Sequence, residues 1–137
     1  MSDEQTHTVS RVSADLGAKY RVEIQTGHHA LTADEPPRVG GGDQGPAPYD
    51  LVLSGLAACT AITLRMYAER KGWVLEGLHV DLRYLLEGDK PRIERTVRLI
   101  GDLSGEARSR FADIVERTPV TLTLKSGVEI HTEFQGA

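Results

Sequence analysis

The sequence predicts an α+β fold in the order β-β-β-α-β-β-α-β, with antiparallel hairpins. Three observations predict it. Apolar and polar residues alternate through Tyr20–Gln25, and again through Leu78–Arg83, the period-2 mark of half-buried strands. The stretch Pro48 to Gly72 is apolar or small nearly all round from Leu51 to Leu64, as a helix buried on most faces must be. Turn residues separate these runs: Gly27, then Pro36-Pro37, then Gly88-Asp89-Lys90-Pro91.

In order along the chain, residues 6–13 and 20–26 read as strands joined through the turn Leu16-Gly17-Ala18-Lys19. Gly27 turns the second into a short third strand, 29–33, which Pro36-Pro37 ends because prolines cannot sit inside a sheet. Asp34-Glu35 reads as a solvated turn. Residues 38–47, RVGGGDQGPA, are a loop on composition, a flexible entry to the long helix. They lack the Gly-Lys-Ser/Thr ending of a phosphate-binding loop and the spacing of a dinucleotide fingerprint. Pro48 suits the first helical position, Asp50 the positive end of the helix dipole, Arg70 and Lys71 the negative end, and Gly72 the stop. At ~1.5 Å per residue this helix is roughly 35 Å long, more than one subunit of this size can cover, so a homodimer is expected. Residues 75–86 and 93–99 form a long hairpin, although the alternation Ile93, Arg95, Val97, Leu99 is imperfect. Ser104 caps a second helix over 105–117, with Ala107, Phe111, Ile114 and Val115 inward, and Pro119 breaks it. Residues 120–124 fit either regular structure. Residues 128–134 are expected as a last strand, with Val128, Ile130, Thr132 and Phe134 on one side.

The 137 residues read as a single domain, 1–137, with 39% hydrophobic and 26% charged residues, ordinary for a globular chain. A net charge of −4 argues against a nucleic-acid surface. No apolar run reaches the ~18 residues of a membrane span, and the polar start, MSDEQTHT, has no signal-peptide pattern. A lone cysteine cannot form an internal disulfide, so the expected compartment is the cytoplasm.

Cys59, on the long helix, is the candidate catalytic residue. The residues alone leave two readings open: a thiol packed as a small hydrophobe, or a nucleophile, which needs a cation nearby. Arg65 and Arg21 are the candidate cations; Asp50 lies opposite Cys59 around the helix. His28-His29 belongs to a turn where neighbours face opposite ways, and His7, His79 and His131 are scattered, so no metal-ligand spacing is met. No catalytic serine elbow occurs. Trp73 and Tyr67 read as core or interface filler.

The run GGGDQGPAPYDLVLSGLAACTAITLRMYAERKGW resembles the helix signature of the OsmC/Ohr family, osmotically inducible protein C and the organic hydroperoxide resistance proteins. The later ERTPVTLTL resembles the family's Arg-Cys-Pro-Val segment. The resemblance implies an OsmC-like fold in an intertwined homodimer with the long helices central. It also implies thiol-dependent reduction of organic hydroperoxides by two cysteines, one peroxidatic and one resolving. Cys59 falls on the peroxidatic position; Thr118 stands at the resolving one and cannot form a disulfide. The family's glutamate after the second proline and its early-turn arginine have no clear match: Tyr49 and Asp50 follow Pro48, and Lys19 and Arg21 are only neighbours of the turn position.

The expectation is therefore a one-cysteine peroxidase using an external thiol as reductant and no cofactor or metal. Its partners would be a second copy of itself and a small hydroperoxide, with neither nucleic acid nor membrane. The alternative is a non-catalytic module that holds a small apolar ligand at the dimer interface, with Cys59 as lining.

Overall fold

The computed structural model describes residues 6–136; most of the polar start read above lies outside them. The class is the expected α+β, with two antiparallel sheets and three helices. The chain divides into two compact units, residues 1–51 and 52–137.

The first unit is a three-stranded sheet in the order β1-β2-β3: Ser13–Leu16, Val22–Thr26 and His29–Ala33. The first strand is displaced from the expected 6–13: residues 6–12 are irregular, and only Ser13 is shared. The tight turn after Leu16 sets this register: Gly17 N–H donates to Arg21 O, and Leu16 pairs with Val22. β2 and β3 join through a two-residue turn with Gly27 at φ 59°, the first central residue of a hairpin turn that needs positive φ.

The loop after β3 is a pinned structure rather than a flexible lead-in. Asp34, expected in solvent, is only 3% exposed. Its carboxylate accepts from the N–H groups of Glu35 at 2.7 Å and Gln44 at 3.1 Å. Bonds between Asp34 N–H and Pro46 O and between Asp43 N–H and Glu35 O close the loop on itself. The glycines allow close packing: a Cβ on Gly45 would collide with the Thr32 carbonyl.

Helix α1, Pro48–Lys71, begins in the first unit and runs through the second. Asp50 Oδ2 accepts from Ala47 N–H at 3.0 Å, so its carboxylate closes the first turn as a capping box does. At the far end Gly72 takes φ 73°, with Gly72 N–H on Glu69 O and Trp73 N–H on Ala68 O. These are the two bonds of a Schellman stop. Leu56, Thr60, Leu64 and Ala68, four residues apart, form the buried stripe.

In the second unit, β4 (Gly77–Glu87) and β5 (Lys90–Ile100) form an eleven-residue antiparallel ladder closed by Gly88-Asp89. α2, Gly105–Ile114, starts at Ser104, whose hydroxyl accepts from Ala107 N–H at 3.1 Å, and continues as a 3-10 turn, Val115–Arg117. The core gathers Leu64, Ala68, Leu75, Ala107 and Phe111, with Trp73 edge-on to Phe111 at 5.3 Å. Leu78, Val97 and Leu99 of the hairpin close over it.

Two segments differ from the sequence reading. Residues 120–124, left open above, lie in a helix, α3 (Pro119–Ser126). Thr118 before the proline is extended, at φ −67° and ψ 152°, and Pro119 occupies the first helical position that suits it. The last strand expected over 128–134 is not formed. The alternation is present, but a strand needs a neighbour to take its backbone bonds. Ile130 is 83% and Phe134 96% exposed.

Candidate functional site

Cys59 lies in the middle of α1 and is half-buried. By helix geometry it lies on the side of an outer apolar stripe of Val52, Ile62 and Met66, each 42–54% exposed. Two polar contacts reach its sulfur. Thr63 Oγ1, one turn on, lies 3.8 Å away, and Val120 N–H donates to Sγ at 3.5 Å. Val120 is the second residue of α3, so the first turn of another helix faces the thiol. In that turn Val120 N–H meets the sulfur, Leu122 N–H bonds Thr118 O, and Pro119 has no N–H to offer. The first turn of α3, rather than that of α1, is the helix start that meets the thiol.

The candidate cations each have a partner of their own. Arg65 Nη1 donates to Leu75 O at 2.6 Å, tying the loop after α1. Within the first unit, Arg21 pairs with Glu23 at 2.6 Å and Lys19 lies over the Tyr20 ring. Asp50 caps α1, as above, and Tyr49 is 60% exposed.

Arg95 was not singled out in the sequence. It projects from β5 on the same face as Val97 and Leu99. Its Nη1 donates to Thr60 Oγ1 at 3.0 Å and to Thr121 Oγ1 at 2.9 Å, and its Nη2 to Val115 O at 2.9 Å. Thr60 donates in turn to Leu56 O at 2.7 Å. Thr121 Oγ1 lies 2.6 Å from Thr118 Oγ1. Thr60 and Thr118 are fully buried and Thr121 nearly so. Among the described residues no carboxylate forms an ion pair with Arg95. The signal in the sequence was the broken alternation: a cation at an inward position between Ile93 and Val97.

Thr118, which the resemblance set at the resolving position, is thus two residues from the N–H that touches the thiol and is held in this hydroxyl network. Nearby, the Lys125 ammonium bonded to the Glu116 carboxylate holds that carboxyl below the usual range, and Arg95 adds to the effect. Among the described residues no three His, Cys, Asp or Glu side chains converge to hold a metal ion. The His28 and His29 rings meet at 4.1 Å rather than facing apart, because His28 lies in the turn.

The first unit has a hollow of about 330 Å³, lined by Leu16, Tyr20, Val22, Ala33, Asp34, Glu35, Val39 and Pro48.

Helix α1 is long and apolar enough by composition to cross a membrane. It nevertheless carries core residues Leu64 and Ala68 and the Arg95–Thr60 bond, contacts of a globular fold.

Comparison with known structures finds the same fold in three relevant proteins. An OsmC-like protein from Mycoplasma pneumoniae is 22% identical with a TM-score of 0.73, over 90% of this chain and 89% of that one. An organic hydroperoxide resistance protein OsmC from Legionella pneumophila is 20% identical at TM-score 0.63, covering 88% and 92%. A putative organic hydroperoxide resistance protein from Vibrio cholerae, with captopril bound in one of its active sites, is 17% identical at TM-score 0.59, covering 90% of each chain. A search of curated proteins finds no significant match. The sequence profile of the OsmC-like proteins matches residues 40–133, from the glycine loop to the C-terminal segment, and the chain belongs to that family.

Proposed function

We propose that this protein reduces organic hydroperoxides through Cys59, with an external thiol closing the cycle. The observation that carries the reading is the convergence on the sulfur of Val120 N–H and the first turn of α3. A thiolate is the nucleophile in this chemistry, and a helix N-terminus is a setting that favours it.

The step balances without a cofactor. The Cys59 sulfur attacks one peroxide oxygen, the O–O bond breaks, and the leaving alkoxide takes a proton to become an alcohol. Sulfur keeps the oxygen as a sulfenic acid. With Thr118 at the resolving position, no second thiol of this chain can condense with it. An external thiol then forms a mixed disulfide with loss of water, and a second thiol releases Cys59 reduced.

The outer stripe of α1 supports a homodimer: Val52, Ile62 and Met66 leave apolar surface beside Cys59. A cytoplasmic setting suits a single thiol that must return to the reduced state.

Hydroperoxide consumption by the wild type and Cys59→Ser, with a dithiol present, tests the reading. Activity should vanish in the variant, because a serine hydroxyl has no comparable redox chemistry. Equal consumption by both would refute it. The second reading, a module that binds a small apolar molecule, is favoured by the apolar hollow beside Leu16, Tyr20 and Val22.

A further inference from the structure

We propose that Arg95 is the positioning residue of the Cys59 site: its guanidinium fork locks the first turn of α3 against α1, and so keeps Val120 N–H on the sulfur. The inference rests on Cys59 as the reacting thiol. It gives a role to a cation that the reaction itself leaves unused.

The geometry is a three-way tie. One arm of the fork reaches α1 through Thr60 and α3 through Thr121; the other reaches the carbonyl of Val115, in the 3-10 turn that leads into α3. Thr60 is next to Cys59 in sequence, and Thr121 is next to Val120. The residues that meet the fork are therefore the immediate neighbours of the residues that meet at the sulfur. A planar fork spreads its donors over separate nitrogens in a fixed geometry, which the single nitrogen of a flexible ammonium does not.

A core role alone would not need this arrangement. An apolar set in place of the whole polar network, with a well-packed side chain at position 95 and valines at 60 and 121, would serve stability as well, since taking a charge out of water costs free energy. The other charged groups in this region, Glu116 and Lys125, are satisfied by each other on the exposed side.

The test reads thiol chemistry directly. Cys59 is alkylated with iodoacetamide at pH 7 and at pH 10 in the wild type and in Arg95→Met, Arg95→Lys, Thr121→Val and Thr121→Ser. Folding of each is checked by urea denaturation. Arg95→Met, Arg95→Lys and Thr121→Val should each slow alkylation at pH 7 about fivefold, the worth of one hydrogen bond. At pH 10, above the ordinary range of a free thiol, the rates should converge with the wild type. Thr121→Ser keeps the hydroxyl and should keep the wild-type rate.

Unchanged rates at pH 7 would overturn the proposal. So would an equal loss at both pH values, which reports access to the sulfur rather than its charge. Wild-type behaviour of Arg95→Lys would also overturn it, because charge alone would then suffice. Should Arg95→Met fail to fold, the isosteric pair Thr121→Val and Thr121→Ser decides. No peroxide enters this experiment, so a protein that alkylates as expected but consumes no hydroperoxide would sink the peroxidase reading and leave the positioning role intact.

Discussion

Replacing Thr60 by valine isolates the hydroxyl that joins α1 to Arg95. Both side chains are β-branched and nearly isosteric, so the fully buried site keeps its packing. Two bonds are lost: the donation to Leu56 O at 2.7 Å and the acceptance from Arg95 Nη1 at 3.0 Å. The first matters little, since a helical carbonyl already has its backbone partner one turn on. The second is a bond to a charged group, worth about 1.5–3 kcal/mol. Arg95 Nη1 keeps Thr121, and valine gains from burial, so the expected destabilisation is roughly 1–2 kcal/mol. Urea denaturation at fixed protein concentration measures it, as a lower midpoint with an unchanged slope. The decisive quantity is the cycle with Arg95→Met: residues sharing one network couple by about 0.5–3 kcal/mol. Additivity within about 0.5 kcal/mol would refute the claim that Thr60 and Arg95 act together.

Other outcomes follow from the same structure. Sedimentation at micromolar concentration should show a dimer covering the Val52–Ile62–Met66 stripe, and Ile62→Glu should weaken it; a stable folded wild-type monomer would contradict this. The Asp34 carboxyl is held below its usual value chiefly by the Glu35 N–H, with Gln44 and Gly42 adding. Because its folded value is depressed, its contribution is present above the unfolded value and is lost as pH falls through the folded one. Urea midpoints should therefore drop between pH 7 and about pH 3, and drop less in Asp34→Asn; equal drops would remove Asp34 from the account. Thr118→Cys restores a second thiol two residues from the N–H that touches Cys59. Peroxide should link the pair if their Cα atoms lie within ~7 Å, and a free thiol on both after oxidation would show that this site has left the two-cysteine geometry.

Helix α1 was legible because its ends carry local chemistry: Pro48, the Asp50 cap and the Gly72 stop each act on adjacent backbone. The hairpins were legible from Gly27 and Gly88, whose positive φ fixes the turns. Helix α3 was not, because Val-Thr-Leu-Thr-Leu has strand propensity and its helix is held by a distant partner, Thr121 on Arg95. For 128–134 the reverse held: the pattern is that of a strand, but pairing depends on a neighbour that this chain's own fold does not supply. Asp34 read as a surface turn because, beyond the adjacent Glu35 N–H, its carboxylate is held by the Gln44 N–H ten residues on. Cys59 could be singled out as a candidate from the sequence, but its surroundings could not. Arg95 is 36 positions further along and Val120 61, and only the fold brings them to one place.

The central claim, that Cys59 is the reacting atom, is tested most directly by the mass of the protein after one equivalent of an organic hydroperoxide. In folded wild type, a dimedone-type probe added at once should trap a sulfenic acid on the peptide that carries Cys59. Cys59→Ser should give no adduct. Cys59 recovered unmodified from folded protein after prolonged exposure would contradict the peroxidase account and favour a module that only binds.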